Sequence, residues 1–293
     1  MKKLAIVGLG LMGGSLGLAA RRRGLARAVW GFARREQTRR QAVARGVVDR
    51  ACERPEEAVA GADFVVFCLP VLAIPPVAAA CARSLARGCV VTDVGSTKAE
   101  LMRTVPAFLR RTPAVFVGSQ PIAGSEQAGL DAARVDLYDG AVVVVTPPAG
   151  REERAAVKAV TGFWRALGAR VVLMDAAEHD RVIASASHLP HLAAAALVMA
   201  AWRAVTPAGA ALCGTGFKDA TRIAAGSEDV WHDIVKTNRR HVSRALRDFA
   251  RIVARAGDLV DRGEFGGLRR FLAEARRKRA ELLAPAQTGK RRR

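Results

Sequence analysis

A glycine-rich turn near the start of the chain constrains its fold more than any other feature. Residues 3–7 form an apolar run that predicts a buried strand, and three glycines in G-x-G-x-x-G spacing follow before a helical pattern begins. Strand, turn and helix in this order are typical of a dinucleotide-binding site, where the helix N-terminus faces the phosphates. The cofactor-binding residues predicted from this turn are Gly8, Gly10, Leu11, Met12 and Gly13.

Apolar strand-like runs then alternate with helical patterns up to about residue 175. This alternation predicts an α/β fold, with a Rossmann-type doubly wound parallel sheet over residues 1–175. The later predicted strands are 28–32, 62–70, 141–145 and 171–174, and residues 88–98 and 115–126 are each predicted as a strand that runs into a polar loop. The predicted helices between them include 36–45, 55–60, 74–87 and 152–167.

The strand signal stops near residue 176. Apolar residues at spacings of three and four predict an all-helical domain over residues 176–284, with helices at 177–199, 221–223, 230–256 and 268–283. We expect this domain to contribute to substrate binding and to form a homodimer through its apolar helical surface. A short basic tail, 285–293, is expected to be disordered.

The formal net charge of +20 raises the question of a nucleic-acid partner. The excess is spread along the chain and is mostly arginine, and no helix-turn-helix or aromatic stacking motif accompanies it. We therefore expect no nucleic-acid partner, although so basic a protein attracts anionic substrates.

The sequence favours a protein that does not enter a membrane. Its apolar runs are shorter than the roughly 18 residues that a membrane span needs, and no signal peptide precedes the first strand. We expect a cytoplasmic enzyme.

The end of the second predicted strand bears on the choice of cofactor. A carboxylate at this point binds the ribose hydroxyls of NAD, but here the strand ends in Ala33, Arg34 and Arg35, and the first acid is Glu36. Two guanidinium groups suit a 2′-phosphate, so we predict NADP in preference to NAD. The alternative is that both arginines simply begin a solvated helix.

Two later predicted strands end in residues that we also place at the cofactor. The carboxyl ends of parallel strands meet at one edge of a sheet, where ligands bind. Leu69 and Pro70 end one of these strands, and Asp93 ends the next. Ser96 lies on the polar loop that follows Asp93, whereas Lys98 on the same loop is interpreted as solvated.

Five separated blocks, in order along the chain, are Gly8–Ser15, Asp93–Lys98, Gln120–Glu126, Ser187–His191 and Gly216–Ala224. Together they resemble the prephenate/arogenate dehydrogenases, the oxidative decarboxylases of tyrosine biosynthesis. The resemblance implies a site between a Rossmann domain and a helical dimerisation domain. It also implies hydride transfer from C4 of a cyclohexadienol to the nicotinamide, with loss of the ring carboxylate as carbon dioxide. The matched residues do not distinguish prephenate, a dicarboxylate, from arogenate, an amino acid.

One block departs from the family pattern. The family has a histidine that hydrogen-bonds the ring hydroxyl and assists its deprotonation, and this chain has Gln120 in that place. A glutamine can accept a hydrogen bond but does not take the proton. Three interpretations stay open: the proton leaves to water, His188 or His191 reaches the hydroxyl, or the enzyme is slow or altered.

The resemblance implies roles for further residues. Ser96 and His188 join Gln120 as predicted catalytic residues, and Arg222 binds a substrate carboxylate. The other predicted substrate-binding residues are Ser125, Glu126, His191 and Lys218. His188 and His191 share a helix face, but no third ligand with suitable spacing is found, so no metal is expected.

Two other functions remain as alternatives. A β-hydroxyacid dehydrogenase of the same two-domain plan uses a catalytic lysine, for which Lys218 or Lys236 would have to serve. A dinucleotide-binding sensor that has lost catalysis is compatible with Gln120.

Overall fold

The computed structural model describes residues 1–112, 114–124, 127–148, 153–206 and 208–284. The predicted disordered tail, 285–293, lies outside these residues. A six-stranded sheet has the order β3-β2-β1-β4-β5-β6, and every pair in it is parallel. Its strands are β1 (Lys3–Val7), β2 (Ala28–Phe32), β3 (Arg50–Cys52), β4 (Phe64–Phe67), β5 (Val90–Asp93) and β6 (Val115–Phe116).

Helices connect these strands and continue after them. The helices of the first half are α1 (Leu11–Arg22), α2 (Glu36–Ala44), α3 (Pro55–Val59), α4 (Ile74–Cys81), α5 (Ala99–Leu109) and α6 (Arg154–Ala166). Those of the second half are α7 (Ala176–Ile183), α8 (Leu189–Ala204), α9 (Thr215–Thr221), α10 (Glu228–Thr237), α11 (Arg239–Asp261) and α12 (Phe265–Leu283).

The predicted α/β fold with a Rossmann-type sheet is confirmed. β1 lies in the middle, with β2 on one side and β4 on the other, so the strand order reverses beside it. This reversal is the point at which doubly wound sheets bind ligands. Helices cover both faces of the sheet, with Leu16 and Trp164 in one core and Ile74 and Leu101 in the other. Both faces of β4 are buried, which explains its unbroken apolar sequence.

A second sheet of three strands departs from the predicted all-parallel arrangement. β7 (Gly118–Ile122) pairs antiparallel with β8 (Val142–Thr146), which pairs parallel with β9 (Arg170–Leu173). Only Val117 separates β6 from β7, which leaves no room for the crossover that a further parallel strand needs. The chain therefore leaves the first sheet, and β7 carries Gln120 away from it.

Several predicted helix boundaries are wrong. The helix predicted over 74–87 ends at Cys81, and a single 3-10 turn follows to Ser84. The helix predicted over 230–256 is interrupted at Asn238, which separates α10 from α11. The buried Asn238 side chain donates a hydrogen bond to the backbone oxygen of Asp180, so the interruption has a tertiary cause.

α7 and α8 join through a π-helical turn, Ala184–His188, into one helix of 29 residues. This helix, Ala176–Ala204, has a mean hydropathy of 1.5 and is long and apolar enough to cross a membrane by length and composition. The prediction that the apolar runs of this chain are too short for a membrane span is therefore wrong. The helix also contains the buried polar residues His179, Asp180 and His188, whose side chains bond to protein groups. Such bonds are typical of a helix packed within a domain.

The described chain separates into two compact units, one up to residue 242 and one from residue 243 to the end of the described residues at 284, and α11 begins in the first and continues in the second. In the second unit the chain turns at Gly263, whose φ of +66° favours glycine. The apolar residues exposed in this unit are Ile252, Val253, Val260, Phe265, Leu272, Leu282 and Leu283.

A buried ion pair links the end of β5 to the loop that follows it in the first unit. The Lys98 ammonium group contacts a carboxylate oxygen of Asp93 at the end of β5, and both side chains are fully buried. The other Asp93 oxygen accepts the backbone N–H of Ser119 in β7 at 3.0 Å. The interpretation of Lys98 as solvated is therefore wrong. Burial lowers the pKa of Lys98, and the Asp93 carboxylate opposes this shift.

Replacement of Lys98 by alanine should lower the free energy of unfolding by about 3–5 kcal/mol, because Asp93 would remain as a buried charge without a partner. Urea denaturation followed by tryptophan fluorescence measures this change. Arg103→Ala is the matched control, since Arg103 forms an exposed pair with Glu100 and its loss should cost about 1 kcal/mol or less. A Lys98→Ala loss no larger than that of the control would contradict the prediction.

Candidate active site

The geometry of the glycine turn assigns each glycine a different role. Gly8 has a φ of +106°, and a side chain there would lie 2.3 Å from the backbone oxygen of Cys68. A side chain on Gly13 would lie 1.8 Å from the backbone oxygen of Gly8. By contrast, a side chain on Gly10 would meet no atom of the described residues within 4 Å. The fold itself therefore requires glycine at positions 8 and 13, whereas the open space at Gly10 suits a ligand.

The N-terminus of α1 is suited to an anion. Gly10 precedes the helix without a side-chain capping bond, and the first turn contains no acidic residue. The first amides of the helix, including those of Leu11 and Met12, can therefore face a phosphate. Leu69 follows β4 beside Gly8, and the exposed Pro70 comes next. These residues fit a dinucleotide.

Gly10→Ala should weaken dinucleotide binding at least tenfold while leaving the unfolding temperature nearly unchanged, because the added methyl group enters only the open space above the turn. Isothermal titration with oxidised and reduced dinucleotides, together with thermal unfolding, measures both effects. Gly162→Ala in α6 is the control, since a side chain there also meets no protein atom within 4 Å. Equal affinity in Gly10→Ala and the wild type would exclude the turn as the pyrophosphate site.

A cavity of about 410 Å³ lies beside this turn, within the first unit. Leu11 and Met12 line one side of it, and Ser96 lines another from the loop after β5. β7 and the residues after it contribute Gln120–Gly124. The helical segments contribute Ser187, His188, His191, Arg222, Ile223, Gly226, Val230, Trp231 and Ile234. The cavity thus brings together the glycine turn, all three predicted catalytic residues and two predicted substrate-binding residues.

Gln120 is positioned by His179, a residue that was not among the predicted site residues. The amide oxygen of Gln120 is in hydrogen-bond contact with Nε2 of His179, and Nδ1 of His179 lies 2.8 Å from a carboxylate oxygen of Asp180. His179 is only 1% exposed, and Gln120 is 7% exposed. Of the two, only Gln120 lines the cavity.

Asp180 is fixed by the loop that follows β5. Its two carboxylate oxygens accept the backbone N–H groups of Lys98 and Ala99, at 2.7 and 2.9 Å. It therefore caps the N-terminus of α5 as well as orienting His179. Burial alone raises the pKa of Asp180, but the hydrogen bonds from His179, Lys98 and Ala99 outweigh that effect and lower the pKa overall.

His188 is a neutral donor rather than a base. Burial lowers the pKa of His188 to about 4, although the Asp180 carboxylate opposes part of that shift. Its Nδ1 lies 3.3 Å from the side-chain nitrogen of Asn238, which can only donate, so the ring proton belongs on Nε2. Among the described residues, the buried Nε2 has no well-formed hydrogen bond, although the nearby backbone of Ser96 acts to raise the pKa of His188. A substrate oxygen in the cavity is a suitable acceptor for this N–H group.

His191 is positioned by an aromatic ring. The indole ring of Trp231 stacks on it at 3.5 Å between ring centres, and burial lowers the pKa of His191. Gly226 permits this arrangement, because a side chain there would lie 2.9 Å from both rings. Arg222 is exposed and lines the cavity. Lys218 is exposed one turn earlier and does not line it.

The remaining predicted residues do not line this cavity or lie outside the described residues. Arg34 and Arg35 are exposed at the end of β2, directly after the buried Ala33. Asp93 is fully buried and its carboxylate is bonded to protein groups, so the carboxylate does not face a cofactor. Ser125 and Glu126 lie outside the described residues.

Four residues that hold the histidines and Gln120 in place were not predicted from the sequence. The adjacent His179 and Asp180 offered a signal, since a carboxylate next to a histidine is a common orienting pair. Trp231 and Asn238 offered none, because their contacts with His191 and His188 depend on the packing of α10 against α8.

Two family models together match most of the chain. Residues 16–173 match a family model described as the prephenate dehydrogenase nucleotide-binding domain, and residues 175–274 match the prephenate dehydrogenase dimerization domain. The chain is 34% identical to a cyclohexadienyl dehydrogenase of Zymomonas mobilis over 241 residues, which cover 81% of each protein.

Two solved structures are also similar along nearly the whole chain. Prephenate dehydrogenase from Aquifex aeolicus, in complex with hydroxyphenyl propionate and NAD+, has 32% identity and a TM-score of 0.88, covering 96% of this chain and 98% of that one. Synechocystis arogenate dehydrogenase has 28% identity and a TM-score of 0.77, covering 96% of this chain and 100% of that one. From the family models and these likenesses, the chain belongs to the prephenate dehydrogenase family.

Proposed function

We propose that this protein oxidatively decarboxylates prephenate or arogenate with a nicotinamide dinucleotide, giving 4-hydroxyphenylpyruvate or tyrosine. One observation carries the proposal: a single cavity joins the glycine turn to Gln120, Ser96, two buried histidines and Arg222. The family membership reported above supports an oxidoreductase of this kind.

The overall chemistry makes modest demands on proton transfer. Ring carbon C4 gives up a hydride, C1 loses its carboxylate as carbon dioxide, and the electrons of the broken C1–carboxylate bond complete the aromatic ring. The bound nicotinamide supplies the hydride acceptor. The hydroxyl of the substrate becomes the phenol hydroxyl of the product, so the balanced equation contains no free proton. A hydrogen-bond acceptor at the hydroxyl therefore stabilises the positive charge that develops there, and no group has to keep the proton.

The cavity residues divide into two proposed roles. Gln120 and Ser96 line the cavity together with the glycine turn and are proposed to contact the reacting ring, with His188 donating its Nε2–H to a substrate oxygen. Arg222 and His191 are proposed to bind the side chain or carboxylate, because a guanidinium group binds a carboxylate with two parallel hydrogen bonds. Ser125, Glu126 and Lys218 stay as predictions for substrate binding.

The β-hydroxyacid alternative needs a lysine in the site. Lys218 and Lys236 are both exposed, and neither lines the cavity. A dinucleotide-binding sensor would differ from the enzyme only in its lack of turnover. The assay described next distinguishes the two.

Formation of reduced dinucleotide, followed by its absorbance, tests the proposed function with prephenate, arogenate and a panel of hydroxyacids. We expect turnover with prephenate or arogenate and none with the hydroxyacids. Tight dinucleotide binding without turnover on any substrate would support the sensor, and turnover on a hydroxyacid alone would support the β-hydroxyacid enzyme.

NADP is the proposed preferred cofactor. Arg39 donates to the backbone oxygens of Ala33 and Arg34, which fixes the chain at the end of β2. The nearest acid, Glu36, is paired with Arg40. The exposed guanidinium groups of the two arginines at this strand end are therefore the charges best placed for a 2′-phosphate.

The wild type should accordingly show a lower KM for NADP than for NAD. Arg34→Ala should raise the KM for NADP about tenfold or more and leave that for NAD within about twofold, since a charge-assisted hydrogen bond contributes about 1.5–3 kcal/mol. Initial-rate kinetics with both cofactors measures this, with the exposed Arg40→Ala as control. A clear wild-type preference for NAD would refute the proposal.

The domain organisation and the oligomeric state complete the proposal. The dimerization-domain match supports a homodimer formed through the C-terminal helices, and the exposed apolar residues of α11 and α12 are suitable for such contacts. We propose a boundary near residue 176 between a dinucleotide-binding and a helical domain, since β9 ends at Leu173 and α7 begins at Ala176. A cytoplasmic location stays a prediction.

A further inference from the structure

We propose that His179, held by Asp180, decides which end of the Gln120 amide faces the ring hydroxyl of the substrate. This inference rests on the reaction proposed above. It makes His179 a positioning residue, because its side chain is buried and does not line the cavity, whereas Gln120 does.

The two ends of the amide differ chemically. The oxygen of Gln120 accepts hydrogen bonds and its nitrogen donates them. When one end of the amide faces His179, the other end faces the cavity. The contact between Gln120 and Nε2 of His179 therefore fixes what the substrate meets.

The presence or absence of a hydrogen on Nε2 of His179 selects between the two arrangements. Asp180 accepts a hydrogen bond from Nδ1 of His179, so a neutral His179 ring has its lone pair on Nε2. Nε2 then takes the amide nitrogen of Gln120, and the amide oxygen turns to the cavity. A protonated ring instead donates from Nε2 to the amide oxygen, which is the pairing present in this structure, and the amide nitrogen turns to the cavity.

Only the first arrangement assists the reaction. The hydroxyl hydrogen needs an acceptor while positive charge develops on C4 and its oxygen, and the amide oxygen of Gln120 is such an acceptor. The amide nitrogen would donate to the hydroxyl oxygen and withdraw electron density from it. Catalysis depends on interactions that strengthen in the transition state, so this orientation affects the rate.

The other charged and titratable groups around His179 either are bonded to other protein groups or stay neutral. Asp180, on the same helix, is held by the backbone of Lys98 and Ala99, and its pKa is lowered. His188, from the π-helical turn, stays neutral because burial lowers its pKa to about 4. Lys98, on the loop after β5, is paired with Asp93. Of these groups, only Asp180 is bonded to the His179 ring, at Nδ1, and Gln120 is in contact with Nε2.

A double-mutant cycle tests the proposal. His179→Asn should lower kcat/KM about 10- to 100-fold, the loss expected when a hydrogen bond to a charged group is no longer aligned. In the Gln120→Glu background the same substitution should cost less than about threefold, because both ends of a carboxylate are acceptors and no selection is needed. A purely structural role for His179 would cost the same in both backgrounds.

The matched control is His232→Asn. His232 is also followed by an aspartate, with 3.2 Å between Nδ1 and a carboxylate oxygen of Asp233, but its side chain is 67% exposed. It should leave kcat/KM nearly unchanged. Thermal unfolding of each variant shows which of them fold.

The split between kcat and KM gives a second, independent measurement. His179→Asn should lower kcat and leave the KM for the substrate within about threefold, because the orientation of the amide matters most in the transition state. Equal losses in both backgrounds, or a loss in His179→Asn that lies in KM and not in kcat, would overturn the role of His179 and leave the proposed function standing. Absence of turnover by the wild type would overturn both.

Discussion

The ion pair between Asp93 and Lys98 is the interaction on which the geometry of the site depends. Each of these charges, buried alone, would cost several kcal/mol, so neither side chain can leave the other while the fold persists. The Asp93 carboxylate also accepts the backbone N–H groups of Gly95 and Ser119. The end of β5 is thereby fixed to β7, one residue before Gln120.

The same loop also fixes Asp180 and, through it, His179, which contacts Gln120. While the Lys98 side chain pairs with Asp93, the backbone amides of Lys98 and Ala99 bind Asp180, and Asp180 orients His179. The carboxylates of Asp93 and Asp180 thus both hold the loop between β5 and α5. Asp93 also positions β7, which carries Gln120, and Asp180 orients His179 in α7, which contacts Gln120. Networks of buried polar groups are rigid when each member has a partner, and this one leaves the Gln120 amide little freedom except to exchange its two ends.

The sequence predicted the parts of this protein that follow from local pattern. The glycine turn requires particular residues at fixed spacing for steric reasons, so the spacing alone was enough to assign Gly8 and Gly13. The long apolar strands were equally clear. The adjacent His179 and Asp180 offered a signal for an orienting pair, but the burial of Lys98 and His179 could not be predicted, because it results from tertiary contacts between β5, β7 and α7 that leave no periodic trace. The antiparallel turn into β7 was missed for a related reason, since the strand pattern of residues 118–122 carries no information on its direction.

The substitution of glutamine for the family's histidine is then understandable in terms of what the reaction requires. If the equation releases no proton, an acceptor aimed at the hydroxyl can serve where a base is otherwise found, provided that its acceptor end faces the substrate. The family's histidine contacts the hydroxyl directly, whereas in this chain Gln120 is the contact residue and His179 is its buried partner. That separation places the histidine out of reach of the substrate, where it can affect the rate only through the orientation of the amide.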